Sequence, residues 1–223
     1  LVVVAANNLQ DAMPLGHDLD AMLEKITTKT KLICFANPNN PTGTWFSTEK
    51  LRSFLEKVPS HVLVVVDEAY IEYVTDSSVQ TALTLLASFP NLIVTRTFSK
   101  AYGLAGIRAG FAIAHARVIE LIERIRESFN LNSLALISAS IALDDEKHLA
   151  QVREKNAIQR DWLRDQLEGL NLKVLPSQTN FLLVHFGSQT AQMESLLFAK
   201  GVMVRPMHGY GLGDYLRITI STP

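Results

Sequence analysis

A lysine follows two hydroxyl side chains in the segment Thr97-Phe98-Ser99-Lys100, and Arg108 lies eight residues further along the chain. Lysine amines form Schiff bases with carbonyl groups, whereas hydroxyls and a forked guanidinium are suitable donors for phosphate oxygens. Pyridoxal phosphate is a cofactor that presents both an aldehyde and a phosphate ester. The segment therefore indicates a site for this cofactor, with a merely solvated lysine after a strand as the alternative.

An acidic residue ends the apolar run at 62–66, where Asp67 is followed three residues later by Tyr70. This pattern predicts a strand buried on both faces that delivers a carboxylate to the carboxyl edge of a parallel sheet. Ligands bind at that edge in open α/β sheets. A carboxylate there can keep the pyridine nitrogen of the cofactor protonated, and Tyr70 could place its hydroxyl near the phenolic oxygen of the ring. The alternative is that Asp67 caps a following helix.

A third segment, Asn37-Pro38-Asn39-Asn40-Pro41-Thr42-Gly43, directly follows another apolar run at 32–36. Its two prolines fix φ and exclude helix, and its glycine permits a tight turn. The segment predicts a rigid loop that holds an asparagine amide at a set position. A purely structural turn is the alternative.

The order of these three segments resembles that of the fold-type-I aminotransferases, which use pyridoxal phosphate. The likeness extends to RTFSKAYGLAGIRAG at 96–110 and YGLGDYLRITI at 210–220, and it is strongest to the histidinol-phosphate aminotransferases. The resemblance implies an α/β fold with a mainly parallel sheet flanked by helices, a smaller C-terminal α+β domain, and a chain that is part of a longer one. It also implies amino transfer between histidinol phosphate and 2-oxoglutarate in histidine biosynthesis. The alternatives are another fold-type-I enzyme, such as an aromatic aminotransferase or an amino-acid phosphate decarboxylase, and a catalytically silent fragment.

The same resemblance implies roles for individual residues. Lys100 would hold the cofactor as an imine and act as a general base, Asp67 would pair with the pyridine nitrogen, and Tyr70 completes the catalytic set. The remaining implied contacts are Asn40 and Tyr70 with the ring oxygen, Thr97, Ser99 and Arg108 with the phosphate, and Arg217 with the substrate carboxylate or its equivalent group.

Two arginines near the end of the chain are candidates for binding the substrate, together with Asn40. Arg217 lies between Leu216 and Ile218 within the predicted apolar strand 216–220. A guanidinium that faces the interior needs an anionic partner, for which a carboxylate is well suited. A surface salt bridge is the alternative. Arg205 follows another strand pattern and could contact a substrate phosphate, or could simply be solvated at the edge of a sheet.

The composition excludes several classes of protein. Lys and Arg total 21 against 22 Asp and Glu, so no basic field attracts nucleic acid or an anionic membrane. Cys34 is the only cysteine, which excludes an internal disulfide and favours a buried structural thiol. The six histidines show no metal-ligand spacing, and no apolar run reaches transmembrane length. We expect a cytoplasmic enzyme of small amino and keto acids, and the resemblance implies a homodimer.

Strand patterns alternate with helical patterns, which predicts βαβ crossovers and a mainly parallel sheet. The predicted strands lie at 1–5, 32–36, 62–66 and 92–95, with helices at 19–26, 48–58 and 79–87. The strand at 110–114 is predicted to be antiparallel, because no crossover helix fits before it. Helices follow at 118–127, 133–143, 147–167 and 191–199, with strands at 173–175, 180–184, 202–205 and 216–220. We predict a boundary near 145, so that 1–145 belongs to a large cofactor-binding domain and 146–223 to a small one.

Overall fold

The computed structural model describes residues 1–221, which contain two four-stranded sheets. The first sheet has the spatial order β1-β2-β3-β4, and its strands are β1 (Leu32–Ala36), β2 (Leu63–Asp67), β3 (Leu92–Thr97) and β4 (Gly110–Ala114). The second has the order β5-β6-β8-β7, and its strands are β5 (Lys173–Val174), β6 (Phe181–His185), β7 (Arg205–Pro206) and β8 (Tyr215–Thr219).

Six α-helices accompany these strands in the described part of the chain. They are α1 (Leu19–Glu24), α2 (Thr48–Lys57), α3 (Ala116–Ile125), α4 (Ser133–Leu143), α5 (Glu146–Gly169) and α6 (Thr190–Ala199). The starts of α1, α2, α4 and α5 follow local capping chemistry, because a side-chain oxygen satisfies a backbone N–H that has no partner within the helix. Asp18 caps α1 and Ser47 caps α2 in this way. None of the helices within 1–221 combines the length and apolar composition that a membrane span requires.

The first sheet has the predicted direction of strands. β1, β2 and β3 are parallel and β4 is antiparallel to β3. Ala36 is level with Asp67, and Asp67 is level with Thr95. The carboxyl ends of three parallel strands therefore meet at one edge, where the segments predicted to carry chemistry begin.

One face of this sheet forms the main core. Phe35, Val64, Val66 and Val94 are buried there against α2, whose apolar side is also buried. Side chains alternate between the two faces of a strand, so Cys34 lies on the side opposite Phe35. The prediction of a buried thiol was wrong, because Cys34 is exposed on that opposite face of the strand β1.

Three predicted elements differ from the structure. Residues 1–5 form no strand and are mostly exposed, because an extended segment becomes a strand only when a neighbour pairs with it. The predicted helix at 79–87 is reduced to a 3-10 turn at Ala82–Leu85. The strand predicted at 202–205 is the two-residue β7 instead. The apolar content of these three segments favoured regular secondary structure. Their conformation depends instead on the backbone groups that are available to pair with them.

The helix α5 connects the two sheets in sequence and packs against residues from both sides of the connection. Leu149 and Val152 contact a cluster of buried aromatic side chains, Tyr70, Tyr73 and Phe181. His148 Nε2 lies 3.2 Å from the carbonyl oxygen of Ala101. The start of α5 is therefore attached to the turn that contains Lys100.

Candidate active site

Asp67 and Lys100 lie at the same edge of the first sheet. Asp67 is the last residue of β2, and Lys100 is in the turn that follows the neighbouring parallel strand β3. Lys100 Nζ lies 5.3 Å from the centroid of the Tyr70 ring, and Tyr70 is three residues after Asp67. The predicted proximity of these two strands is confirmed, because β2 and β3 are paired in parallel.

The carboxylate of Asp67 also has a local role. Its Oδ1 accepts a hydrogen bond of 3.0 Å from the backbone N–H of Ala69. This bond forms a local turn, whereas the 3-10 helix Ile71–Tyr73 that follows has Tyr70 at its N-cap and no side-chain cap, so Asp67 does not cap a helix. Asp67 is nevertheless exposed, which leaves its carboxylate accessible to a ligand at the sheet edge.

Tyr70 is only 5% exposed and connects the two sheets. Its ring packs edge-on against Phe181 of β6 at 5.3 Å between centroids. Phe181 also supports Arg217 of β8, whose guanidinium carbon lies 4.6 Å from the centroid of the Phe181 ring. A chain of contacts thus runs from Lys100 through two aromatic rings to Arg217.

Arg217 is held close to the loop that follows β1. Its Nη1 donates a hydrogen bond of 2.6 Å to Asn40 Oδ1, whereas its Nε is buried without a hydrogen-bond partner among residues 1–221. Burial lowers the pKa of Arg217, and the charge of Arg205 lowers it further. Arg205 is directly opposite Arg217 in the β7–β8 pair, so the two cations share one face of the sheet. Such an arrangement favours an anionic ligand.

The loop 37–43 is fixed by its own side chains. Asn37 exchanges two hydrogen bonds of 3.0 Å with the backbone of Phe46, and Asn39 Nδ2 donates to Thr42 Oγ1. The carbonyl of Gly43, which has φ +79°, accepts from the backbone N–H of Gln178. Asn37, Asn39 and Gly43 stabilise the conformation of the loop through these hydrogen bonds, whereas Asn40 is exposed. The rigid loop and the displayed asparagine of the prediction are both present.

The residues predicted to hold a phosphate belong to one turn, 97–108. Thr97 Oγ1 accepts from the backbone N–H of Ser99 at 3.1 Å. Arg108 has a left-handed backbone with φ 55°, and its Nη1 donates to the carbonyl of Ala105 at 2.9 Å. The turn closes on itself through Leu104 N–H and the carbonyl of Phe98. Phosphate binding by Thr97, Ser99 and Arg108 stays a prediction. The Thr97 hydroxyl and the Arg108 guanidinium already form hydrogen bonds within this segment.

A buried ionic cluster directly beneath this edge was missed by the sequence analysis. Glu68 is 2% exposed, and its carboxylate accepts from Arg96 Nε at 2.9 Å and from Thr81 Oγ1 at 2.8 Å. Arg96 Nη1 donates to Glu72 at 2.9 Å. Burial raises the pKa of Glu72, although Arg96 acts in the opposite direction. The sequence offered one indication of this cluster, because Glu68 directly follows Asp67 and Arg96 directly precedes Thr97 at the ends of neighbouring predicted strands.

Comparison with known proteins places these features in a family context. Residues 3–223 match the family described as aminotransferase class I and II. Histidinol-phosphate aminotransferase 1 of Idiomarina loihiensis is 47% identical over 212 residues, which are 95% of this chain and 58% of that protein. Histidinol-phosphate aminotransferase 2 of Pseudomonas fluorescens is 48% identical over 93% of this chain and 56% of its own length. The chain thus spans less than two thirds of these relatives.

Solved structures share the same architecture. Histidinol-phosphate aminotransferase from Sinorhizobium meliloti, in complex with pyridoxal-5'-phosphate, matches with a TM-score of 0.82 and 31% identity over 91% of this chain and 56% of that chain. A decarboxylase from Sulfurospirillum multivorans also has a TM-score of 0.82, with 26% identity over 93% of this chain and 62% of that chain. The prediction of a partial fold-type-I structure, with a mainly parallel sheet flanked by helices, is confirmed.

Proposed function

Because the chain belongs to the aminotransferase class I and II family, we propose that it is part of an aminotransferase that uses pyridoxal 5'-phosphate. The reaction we propose is transfer of an amino group between histidinol phosphate and 2-oxoglutarate, in histidine biosynthesis. One observation carries the proposal. Asp67 ends β2 and Lys100 follows the adjacent parallel strand β3 at the same edge, with the Lys100 amine 5.3 Å from the centroid of the Tyr70 ring.

The residues at this edge, together with Arg217 of β8, fit the proposed cofactor and an anionic substrate. An aldehyde needs an amine, a protonated ring nitrogen needs an acid, and an anionic substrate needs cationic donors. Lys100 and the exposed Asp67 supply the first two. Arg217 supplies the third, because its Nε is buried and has no partner within residues 1–221. Thr97, Ser99 and Arg108 would hold the phosphate, and Asn40 and Tyr70 would contact the ring oxygen.

Lys100 and Asp67 would have different roles in moving and holding protons. When bound, pyridoxal phosphate supplies an aldehyde and an electron-withdrawing ring. Lys100 Nζ would hold the aldehyde carbon until an amino substrate replaces it. The free amine would then remove a proton from the substrate carbon that bears nitrogen, which requires the neutral form of Lys100. Asp67 would keep a proton on the pyridine nitrogen and so stabilise negative charge in the transition state.

Substrate binding is proposed to use the two arginines of the second sheet. Arg217 presents a forked guanidinium beside Asn40, and Arg205 adds a second positive charge on the same face. Two adjacent cations suit a doubly charged anion, either the phosphate of histidinol phosphate or a dicarboxylate. The relatives named for histidinol phosphate, at 47% and 48% identity, support this choice. The decarboxylase neighbour at 26% identity makes amino-acid decarboxylation the second candidate.

We further propose that the protein is a cytoplasmic homodimer with a domain boundary near residue 145. The division into 1–145 and 146–223 is supported by the two separate sheets on either side of the start of α5. Self-association is supported by α4, which carries no charged residue and whose Leu134, Ile137 and Ile141 are 75%, 58% and 67% exposed. These three residues recur at helical spacing, so they lie on one face of α4, and an exposed apolar face of this kind is typical of an interface.

The proposal is tested on Lys100 itself. Purified chain is incubated with pyridoxal phosphate, reduced with borohydride and digested, and the labelled peptide is identified by mass spectrometry. We expect one label, at Lys100, and its loss in Lys100→Ala but not in the control Lys155→Ala on α5. A label at another lysine that persists in Lys100→Ala would contradict the assignment.

The reaction is then tested with histidinol phosphate and 2-oxoglutarate as substrates. Formation of glutamate that depends on Lys100 supports the aminotransferase, and release of carbon dioxide from an amino-acid phosphate supports the decarboxylase. A chain that is labelled at Lys100 but catalyses neither reaction would be a cofactor-binding fragment.

A further inference from the structure

We propose that Arg96 is a positioning residue, which sets the relative placement of Asp67, Tyr70 and Lys100 through the buried cluster it forms with Glu68, Glu72 and Thr81. The inference rests on the proposed function for the meaning of those three side chains. The cluster itself is defined by contacts within the described part of the chain and needs no ligand.

The guanidinium of Arg96 is bonded in three directions. Its Nε donates to Glu68 at 2.9 Å, its Nη1 to Glu72 at 2.9 Å and its Nη2 to Thr81 Oγ1 at 2.8 Å. The Arg96 side chain is 13% exposed, and those of Glu68 and Glu72 are 2% and 9% exposed. A planar guanidinium holds such partners at fixed angles, which the single ammonium of a lysine cannot do.

Each of the three residues that carry these groups lies within four positions of a residue of the proposed site. Glu68 directly follows Asp67, Glu72 is two residues after Tyr70, and Arg96 is four residues before Lys100. Successive side chains of a strand point to opposite faces, so the cluster lies on the side of the sheet edge away from Asp67. Arg96 therefore connects the backbone segment that carries Lys100 with the segment that carries Asp67 and Tyr70.

Stability alone is a weak reason for such a cluster. Buried ion pairs recover little more than the cost of removing their charges from water, and well-packed apolar side chains often replace them without loss. The cluster also contains two carboxylates for one guanidinium, and burial raises the pKa of Glu72. Its distinctive property is geometric, because it connects the ends of β2 and β3 to the turns at 71–73 and 81–82.

The test compares Arg96→Lys with a matched surface control, Arg164→Lys. Arg164 also bonds two carboxylates, Asp161 and Asp165, but on the exposed side of α5. Three quantities are measured: the dissociation constant of pyridoxal phosphate from visible absorbance, the pH midpoint of that absorbance, and amide hydrogen exchange in residues 68–73 and 98–103. Urea unfolding of each variant reports whether the fold persists.

We expect Arg96→Lys to unfold cooperatively, to bind the cofactor about 10- to 100-fold more weakly, and to shift the pH midpoint. Exchange should accelerate in both segments, whereas Arg164→Lys should match the parent in all three quantities. A lower urea midpoint with an unchanged dissociation constant, pH midpoint and exchange would overturn the positioning role. If the parent is not labelled at Lys100, the proposed function fails, and exchange in 68–73 and 98–103 alone decides whether Arg96 couples these segments.

Discussion

Replacing Gly43 by alanine tests how closely the loop 37–43 is attached to residues 177–178. A Cβ at Gly43 would lie 2.5 Å from Ser177 Oγ and 2.7 Å from Ser177 Cβ, and the backbone φ is +79°. The left-handed conformation costs an L-residue about 1–2 kcal/mol, and overpacking costs about 1–3 kcal/mol more. We therefore expect Gly43→Ala to lower the free energy of unfolding by about 2–5 kcal/mol.

The matched control is Gly103→Ala. Gly103 has φ +71° but no atom within 4 Å of an added Cβ, so it should incur only the backbone cost of about 1–2 kcal/mol. Urea unfolding followed by far-UV circular dichroism gives both values. Equal losses in the two variants would refute the reasoning, because they would show that Ser177 does not restrict the loop. A larger loss at Gly103 would refute it as well.

Three further changes test the packing behind the site. Arg160→Met should alter the free energy of unfolding by no more than about 1 kcal/mol, because burial lowers the pKa of Arg160 and its Nη1 has no partner among the described residues; a large loss in urea unfolding would contradict this. Phe181→Leu should lower that free energy by about 1–3 kcal/mol, since the ring contacts both Tyr70 and Arg217; an unchanged urea midpoint would count against both contacts. Because the pKa of Glu72 is raised above its usual 4.5, its contribution favours folding below about pH 4.5 and is lost as the pH rises through the raised value. The melting temperature of Glu72→Gln should therefore fall less than that of the parent as the pH rises through this range. Melting temperatures that depend on pH identically in the two proteins would exclude this contribution.

The outline of the first sheet was predictable from the sequence because local patterns carry it. The predicted strand 32–36 and helix 133–143 match the structure at both ends. The strand ends that carry Asp67 and Thr97 follow apolar runs that are typical of parallel sheets, and the intervening crossover lengths favour a parallel direction. By contrast, the strand predicted at 1–5 and the helix predicted at 79–87 failed, because backbone pairing and competing side-chain bonds decided those segments.

The candidate site was only partly predictable for the same reason. Lys100, Asp67 and Tyr70 could be placed together because consecutive parallel strands deliver their following residues to one edge. The bond between Asn40 and Arg217 joins residues 177 positions apart, and no local pattern specifies such a contact. The exposure of Cys34 likewise depends on which face of β1 is covered.

The sequence by itself determined which groups are available for chemistry and at which ends of which strands they stand. Only the tertiary structure decided how these groups are restrained: Glu68, directly after β2, pairs with Arg96 of the neighbouring strand β3, and the carbonyl of Gly43 accepts from Gln178 in the connection between β5 and β6. The physical reason is that periodicity and turn chemistry act over a few residues, whereas desolvation and hydrogen bonding depend on neighbours that folding brings together from distant parts of the chain.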